Sequence, residues 1–193
     1  MKEPLGIILA GGRGTRMGSI SKAKLMLGHT ALLDRAIDRL TPQVCEVVVN
    51  ANDIIETSLP IIEDSLSGHQ GPLAGVSSGL EFARAHGHSH IVTVAVDTPF
   101  FPCDLVPQLI LAGLAHPDTF AVATTSNGVQ GTFGLWPVSL TPHLQAFLAD
   151  GHRKVRAFTD SMNAVQAIFP DTEPDSFFNI NTPNDLKTAQ QWL

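Results

Sequence analysis

Leu5-Gly6-Ile7-Ile8-Leu9-Ala10-Gly11-Gly12-Arg13-Gly14-Thr15-Arg16-Met17-Gly18 is the stretch on which the fold turns. Its first six residues form an apolar run with no polar alternation. That pattern suits a strand buried on both faces, as in a parallel sheet. The run ends in four glycines within eight residues. Glycines at that density cost backbone entropy, and close approach is a reason to have them: successive backbone N–H groups can converge on an anion. Arg13, Arg16 and Lys22 add positive charge beside the turn. The turn is read as a cradle for the phosphates of a nucleoside triphosphate.

Two better-known phosphate loops are excluded. A P-loop needs Gly-Lys-Ser/Thr, which does not follow here, and the dinucleotide fingerprint needs glycine where Met17 stands.

Working outward, Lys24 to Leu27 reads as a short extended piece. Leu32, Leu33, Ala36, Ile37 and Leu40 recur at helical spacing, and Pro42 stops that helix. Val47-Val48-Val49 is a buried strand ending at Asn50, and Pro60 to Glu63 is a third strand. Gly71-Pro72 opens a helix with a stripe of Leu73, Val76, Leu80 and Ala83. Ile91 to Val96 is the strongest strand and stops at Asp97-Thr98-Pro99. Asp104 is placed to cap a helix carrying Leu105, Leu109 and Leu114. Phe120 to Thr124, Thr132 to Trp136 and Ala164 to Phe169 read as strands. Ser139 to Ala149 and Arg153 to Phe158 read as helices. Phe177 to Asn181 is extended, and Thr182-Pro183-Asn184-Asp185 has the chemistry of a helix start.

Strands alternate with helices over the first ~115 residues, which implies right-handed βαβ units. The expected fold is α/β, a three-layer αβα Rossmann-like arrangement on a mostly parallel central sheet. Ligands in such sheets bind at the carboxyl ends of strands. Gly11, Asn50, Asp64 and Asp97 each follow an apolar strand, so position and chemistry agree.

The chain has 193 residues, 44% hydrophobic and 16% charged, with a formal net charge of −6. It is read as one domain, 1–193, with a sizeable core. The acidic balance, with no basic cluster beyond Arg153-Lys154-Val155-Arg156, excludes a nucleic-acid partner. No apolar run is long enough for a signal peptide or a membrane span, so a cytoplasmic protein is expected. Cys45 and Cys103 match no zinc spacing and are expected as buried or half-buried free thiols. His86-x-His88-x-His90 precedes a strand, away from the strand carboxyl ends, and is expected to be a loop of solvated histidines.

The loop is similar to that of nucleotidyltransferases reading Leu-Ala-Gly-Gly-x-Gly-x-Arg-Met. Val48 to Asn52, Ile62-Glu63-Asp64, Gly71-Pro72-Leu73-Ala74-Gly75, Asp97-Thr98-Pro99 and Phe178 to Pro183 follow in order. Together they resemble the molybdenum cofactor guanylyltransferases over nearly the whole chain.

The resemblance implies that GTP and molybdopterin give the guanine dinucleotide cofactor and pyrophosphate. It implies GTP contacts at Leu9, Ala10 and Gly11, extended by the glycine-rich turn to Gly12. Lys22 would meet the phosphates, Asn50 and Asp64 would be further GTP contacts, and Asp97 would bind Mg²⁺. A labile pterin also implies a delivery protein or a recipient molybdoenzyme as partner. Two positions depart from the family pattern. Ser21 stands where Asp often precedes the lysine, which leaves Lys24 a rival for Lys22. Gln130-Gly131 stands where a His-Pro pair often precedes the segment matching Phe133 to Trp136.

These residue types suit attack by a phosphate on the α-phosphorus of GTP. Catalysis of such transfers is mainly positioning and electrostatic stabilisation. Mg²⁺ takes one or two carboxylates, with phosphates and water filling the rest, and Asp97 at a strand end fits; the plainer reading is a turn cap. Lys22 offers a mobile point charge, and Arg16 can neutralise either the triphosphate or the incoming phosphate; both also fit ordinary surface roles. Asn179 and Asn181, two apart, share a face if extended and are candidates for the metal or the pterin phosphate, or for capping. Lys154, with Arg153, is a further pterin-side candidate or a solvated face. Asp64 faces either base or sugar. The rival readings are a cytidylyltransferase acting on the same pterin, another NTP-dependent nucleotidyltransferase, and a nucleotide-binding partner module without turnover.

Overall fold

A computed structural model describes residues 3–11, 21–65, 71–114 and 120–193. The apolar run forms β1 (Leu5–Leu9), fully buried along its length. A single 3-10 turn (Lys22–Lys24) leads to a small antiparallel ribbon, β2 (Met26–Leu27) and β3 (Thr30–Ala31). Next come α1 (Leu32–Leu40), β4 (Glu46–Asn50), β5 (Ile61–Ile62), α2 (Pro72–Ala85), β6 (His90–Ala95) and α3 (Leu105–Gly113). The second half adds β7 (Ala121–Thr125), β8 (Gly128–Pro137), α4 (Thr141–Ala149), α5 (Val155–Ser161), β9 (Val165–Ile168) and α6 (Pro183–Gln190). Of the extended piece expected at Lys24 to Leu27, Lys24 closes the 3-10 turn, Leu25 is extended and Met26–Leu27 is strand.

Seven strands form one sheet in the order β5-β4-β1-β6-β8-β7-β9. Neighbouring strands are parallel except at β8, which runs against both β6 and β7. The expected mostly parallel sheet is present. The antiparallel strand was not foreseen, although Ser126-Asn127-Gly128 carries a hairpin signal. Those residues turn β7 into β8, and Gly128 takes φ +107°.

Strand alternation divides the core between two helical layers. Ile8, Val47, Val49, Val92 and Val94 pack towards α1, α3 and α6. Leu5, Ile7, Leu9, Val48 and Ile91 pack towards α2, α4 and α5. A fully buried side chain of this size is worth ~1.5–3 kcal/mol relative to exposure, so both layers are held by the same strands. Trp136 is buried in the second layer, and its indole N–H donates to Thr93 Oγ1 at 2.8 Å. Thr93 in turn donates to the Thr132 carbonyl at 2.8 Å, so the indole and this hydroxyl both have partners.

Local corrections follow from tertiary contacts. Asp104 occupies the N-cap position of α3 but makes no capping hydrogen bond; its Oδ2 accepts from Gln108 instead. Both cysteines are free and exposed rather than buried, and Cys103 Sγ lies 3.2 Å from Arg39 Nη1. The histidine triplet is not uniformly solvated. His86 stacks on Phe82 at the end of α2, while His90 is buried as the first residue of β6. His88 meets Cys45 at 3.7 Å through Nδ1 and Glu46 at 4.0 Å through Nε2. Contacts through opposite ring nitrogens do not converge on one ion. Among the described residues, no group of three or more His, Cys, Asp or Glu can hold a metal. Among them, too, no helix is long and apolar enough to cross a membrane.

Candidate active site

Register brings the site together. Leu9 is level with Asn50 on one side and with Ala95 on the other, and Asn50 is level with Ile62. The chain therefore leaves four neighbouring parallel strands at one height. Ala10 and Gly11, Asn50, Asp64 and Asp97 emerge around a single cleft. Its lining also includes Leu9, Lys22, Gly71, Pro72, Thr132 and Asn179. Two backbone bonds tie the floor: Ala10 N–H donates to the Asn50 carbonyl at 2.9 Å, and Val96 N–H donates to the Leu9 carbonyl at 3.2 Å.

One wall is charged. Lys22 Nζ donates to Asp97 Oδ2 at 2.7 Å and also to Asn181 Oδ1. Both partners of the ion pair are about one-fifth exposed. In the 3-10 turn Lys22 is half-buried in the cleft and Lys24 is exposed, with buried Ala23 between them. Among the described residues, Asp97 Oδ1 meets a long contact of 3.5 Å with the Thr98 hydroxyl. Thr98 donates at 2.9 Å to Asn179 Oδ1, and Ile180 N–H donates to the Asp97 carbonyl at 2.8 Å. Residues 177–181 thus run beside the Asp97 turn without forming a strand, and they deliver both asparagines to it.

That segment is anchored by α6. The Thr182 side chain accepts from Asp185 N–H at 3.2 Å, and Asp185 Oδ2 accepts from the N–H of Thr182 at 2.7 Å and of Asn181 at 2.9 Å. This is a capping box with Pro183 at the first helical position. Burial works against the Asp185 charge. The Asn181 backbone, the side chain and backbone of Thr182 and the nearby Lys22 charge outweigh it, and hold the carboxyl below its ordinary value.

The other wall is a plate of amides around a carboxylate. Asn50 Nδ2 donates to Asp64 Oδ1 at 3.0 Å, and Asn52 Nδ2 donates to Asp64 Oδ2 at 2.9 Å. Asn50 is almost fully buried. Its seat exists because Gly75 on α2 has no side chain: a Cβ there would collide with Asn50 Oδ1 and lie 2.8 Å from Leu9 Cδ2. Gly71, with φ +74°, turns the chain into α2 at the rim of the cleft. The Arg153 carbonyl lies 3.9 Å from where a Gly71 Cβ would stand.

Leu9, Ala10, Gly11, Lys22, Asn50, Asp64, Asp97 and Asn179 line the cleft together, and Asn181 touches it through Lys22. Lys154 sits exposed at the N-cap of α5 and does not line it. Gly12 and Arg16 lie outside the described residues. Asn52, Thr98 and Thr132 were not singled out by sequence, and Gly75 only as part of the Gly71 to Gly75 segment. Asn52, Gly75 and Thr98 lie inside the segments that carry the resemblance, which is the signal that points to them.

A family model described as a MobA-like NTP transferase domain matches residues 6–165. The chain belongs to that family. The molybdenum cofactor guanylyltransferase of Rhizobium johnstonii is 42% identical over 196 residues, covering 97% of this chain and 92% of that one. The molybdenum cofactor guanylyltransferase of Cereibacter sphaeroides is 43% identical over 192 residues, covering 97% and 96%. Within the MobA-like nucleotidyltransferases, the chain groups with these enzymes. A solved structure of molybdopterin-guanine dinucleotide biosynthesis protein A from Archaeoglobus fulgidus is similar in fold, with TM-score 0.76 at 24% identity and 97% coverage of both chains. The 2-C-methyl-D-erythritol 4-phosphate cytidylyltransferase of Thermus thermophilus shares the fold at TM-score 0.70 and 19% identity, covering 100% of this chain and 98% of that one.

Proposed function

We propose that this protein, one nucleotidyltransferase domain spanning residues 1–193, transfers GMP from GTP to molybdopterin. A terminal phosphate oxygen of the pterin attacks the α-phosphorus, the bond to the β-phosphate bridging oxygen breaks, and pyrophosphate leaves with the electron pair. The bridge from Lys22 to Asp97 and Asn181, in the cleft that Gly11 also lines, is the observation that carries this reading. It supports the reading because an exchangeable cation and a carboxylate are what approaching phosphates and their metal need. Family membership supports it.

The cleft's donor set also fits a hard divalent cation. It is made of oxygens: Asp97 Oδ1, which meets a long contact with Thr98, with Asn179 Oδ1 and Asn181 Oδ1, each of which keeps a second lone pair beside the hydrogen bond it accepts. Asp97 would hold Mg²⁺, which supplies charge neutralisation on the phosphates. Lys22 leaves its bridge to meet phosphate oxygens as a point charge. The backbone of Leu9, Ala10 and Gly11, continued by Gly12, holds the nucleotide, and Arg16 adds charge to the same loop. Asn50 and Asp64 hold the nucleoside. Asn179 and Asn181 orient the pterin phosphate, with Lys154 at the outer rim. The setting is cytoplasmic, and the product passes to a delivery protein or molybdoenzyme.

Incubation with Mg²⁺, molybdopterin and either GTP or CTP tests the reading. Pyrophosphate release with GTP is expected. Release with CTP alone would overturn the guanine assignment, and nucleotide binding without release would make the protein a binding module.

A further inference from the structure

Asp64 needs more support than its own strand supplies. It lies two residues beyond β5, a two-residue strand at the edge of the sheet. A carboxylate on so short an anchor has two side-chain torsions free to turn. Yet Asp64 is fixed at three points. Asn52 Oδ1 accepts from Asp64 N–H at 2.9 Å, and Asn52 Nδ2 donates to Asp64 Oδ2 at 2.9 Å. One amide therefore clamps both the main chain and the side chain of a single residue. Asn50 Nδ2 donates to the remaining oxygen at 3.0 Å. Asn52 is itself placed by β4, since Ala51 N–H continues the sheet by donating to the Ile62 carbonyl at 3.0 Å. Its Nδ2 also lies 3.8 Å from where a Gly11 Cβ would stand, beside the first glycine of the phosphate turn.

We propose that Asn52 is a positioning residue for nucleotide recognition: its amide locks the Asp64 carboxylate in the orientation that meets the nucleoside. An ionised carboxylate only accepts hydrogen bonds. With one lone pair on each oxygen occupied by Asn50 and Asn52, the others face the cleft in a fixed direction. The inference rests on the nucleotide reading of the cleft, and Asn52 itself does not line it. Because Asn52 is exposed, its removal leaves no cavity in the core.

A double-variant cycle on the full chain tests it. GTP and CTP affinities are measured by calorimetry with Mg²⁺ for the parent, Asn52→Ala, Asp64→Ala and the double variant, alongside melting temperatures and steady-state kinetics. Asn52→Ala is expected to weaken GTP binding about tenfold, the worth of one lost hydrogen bond to a charged group. Its kcat at saturating GTP and its melting temperature stay near the parent's. Asp64→Ala loses at least as much, and the double variant binds like Asp64→Ala alone. Asn52→Asp, which sets a second carboxylate against Asp64, loses more than Asn52→Ala. If Asn52→Ala does not fold, Asn52→Ser carries the same cycle.

Losses that multiply in the double variant, parent-like GTP binding by Asn52→Ala, or a loss confined to kcat would each overturn the proposal. A parent that binds CTP and not GTP would defeat the guanine reading separately, and the cycle run with CTP would still decide the role of Asn52.

Discussion

The two walls of the cleft solve different problems with different materials. On the Asp97 side, a long lysine chain bridges a carboxylate and an amide, all partly open to water. On the Asp64 side, short asparagines hold a carboxylate from both oxygens, and one of them is buried under a glycine. A lysine carries a compact charge on a flexible stem, so it can change partners as phosphate charge arrives and leaves. An asparagine on a strand end has little freedom to lose, so it suits a contact that must be the same in every turnover. Under the proposed function, moving charge falls to the exchangeable pair and recognition to the fixed plate.

That contrast breaks if substitutions on the charged wall fail to act on turnover. Asp97→Asn is expected to lower kcat by roughly 10²–10³, comparable to the loss of one preorganised electrostatic group. A near-parental rate in steady-state assays would remove Asp97 from the metal role. Lys22→Ala is expected to cost about tenfold to hundredfold, the worth of a charge-assisted hydrogen bond of ~1.5–3 kcal/mol. Lys24→Ala should change little, since Lys24 is exposed and does not line the cleft; a larger loss at Lys24 would reverse the assignment.

The fixed wall is sharpened by Gly75→Ala. The added methyl must displace Asn50 or Leu9, at a cost of ~1–3 kcal/mol for overpacking. Calorimetry should show weaker GTP binding, and denaturant titration lower stability, with kcat at saturation affected least. Intact affinity would show that the seat of Asn50 tolerates change.

Smaller effects are expected where α6 holds the asparagine segment. Thr182→Ala removes an N-cap and should cost ~0.5–2 kcal/mol in denaturant unfolding. The Asp185 carboxyl is held below its ordinary value in the folded chain. Its stabilisation is therefore fully present above the unfolded-state value and disappears as pH falls through the lowered folded-state value. Asp185→Asn should lower stability most at neutral pH and flatten the acid limb of the stability curve below pH of about 4, where parent and variant converge. An unchanged acid limb would show that the box contributes no pH dependence.

Local patterns account for much of what was legible. The run Leu5 to Ala10, the helical spacing from Leu32 and the cap at Thr182 each carry their structure in adjacent residues. Less was readable after residue 120. The antiparallel β8 depends on pairing with β6 and β7 over long separations, which periodicity does not encode. At Asp104 the cap chemistry was present, but Asp104 takes Gln108 as its partner.

By itself, the sequence determined that buried strands end in glycines, asparagines and aspartates, because apolar runs and strand-end chemistry are local properties. It also carried the family, through motifs whose order spans the chain. Only the tertiary structure decided that Leu9, Asn50, Ile62 and Ala95 stand at one level, since parallel register is set by packing across separate strands. Only there does Lys22 find Asn181, 159 residues away, or Gly75 become the space that Asn50 fills. In the proposed reading the glycine-rich turn marks the phosphate end of the cleft. The distance between its two walls, and the partners that fix each one, come from close packing of residues that are strangers in the chain.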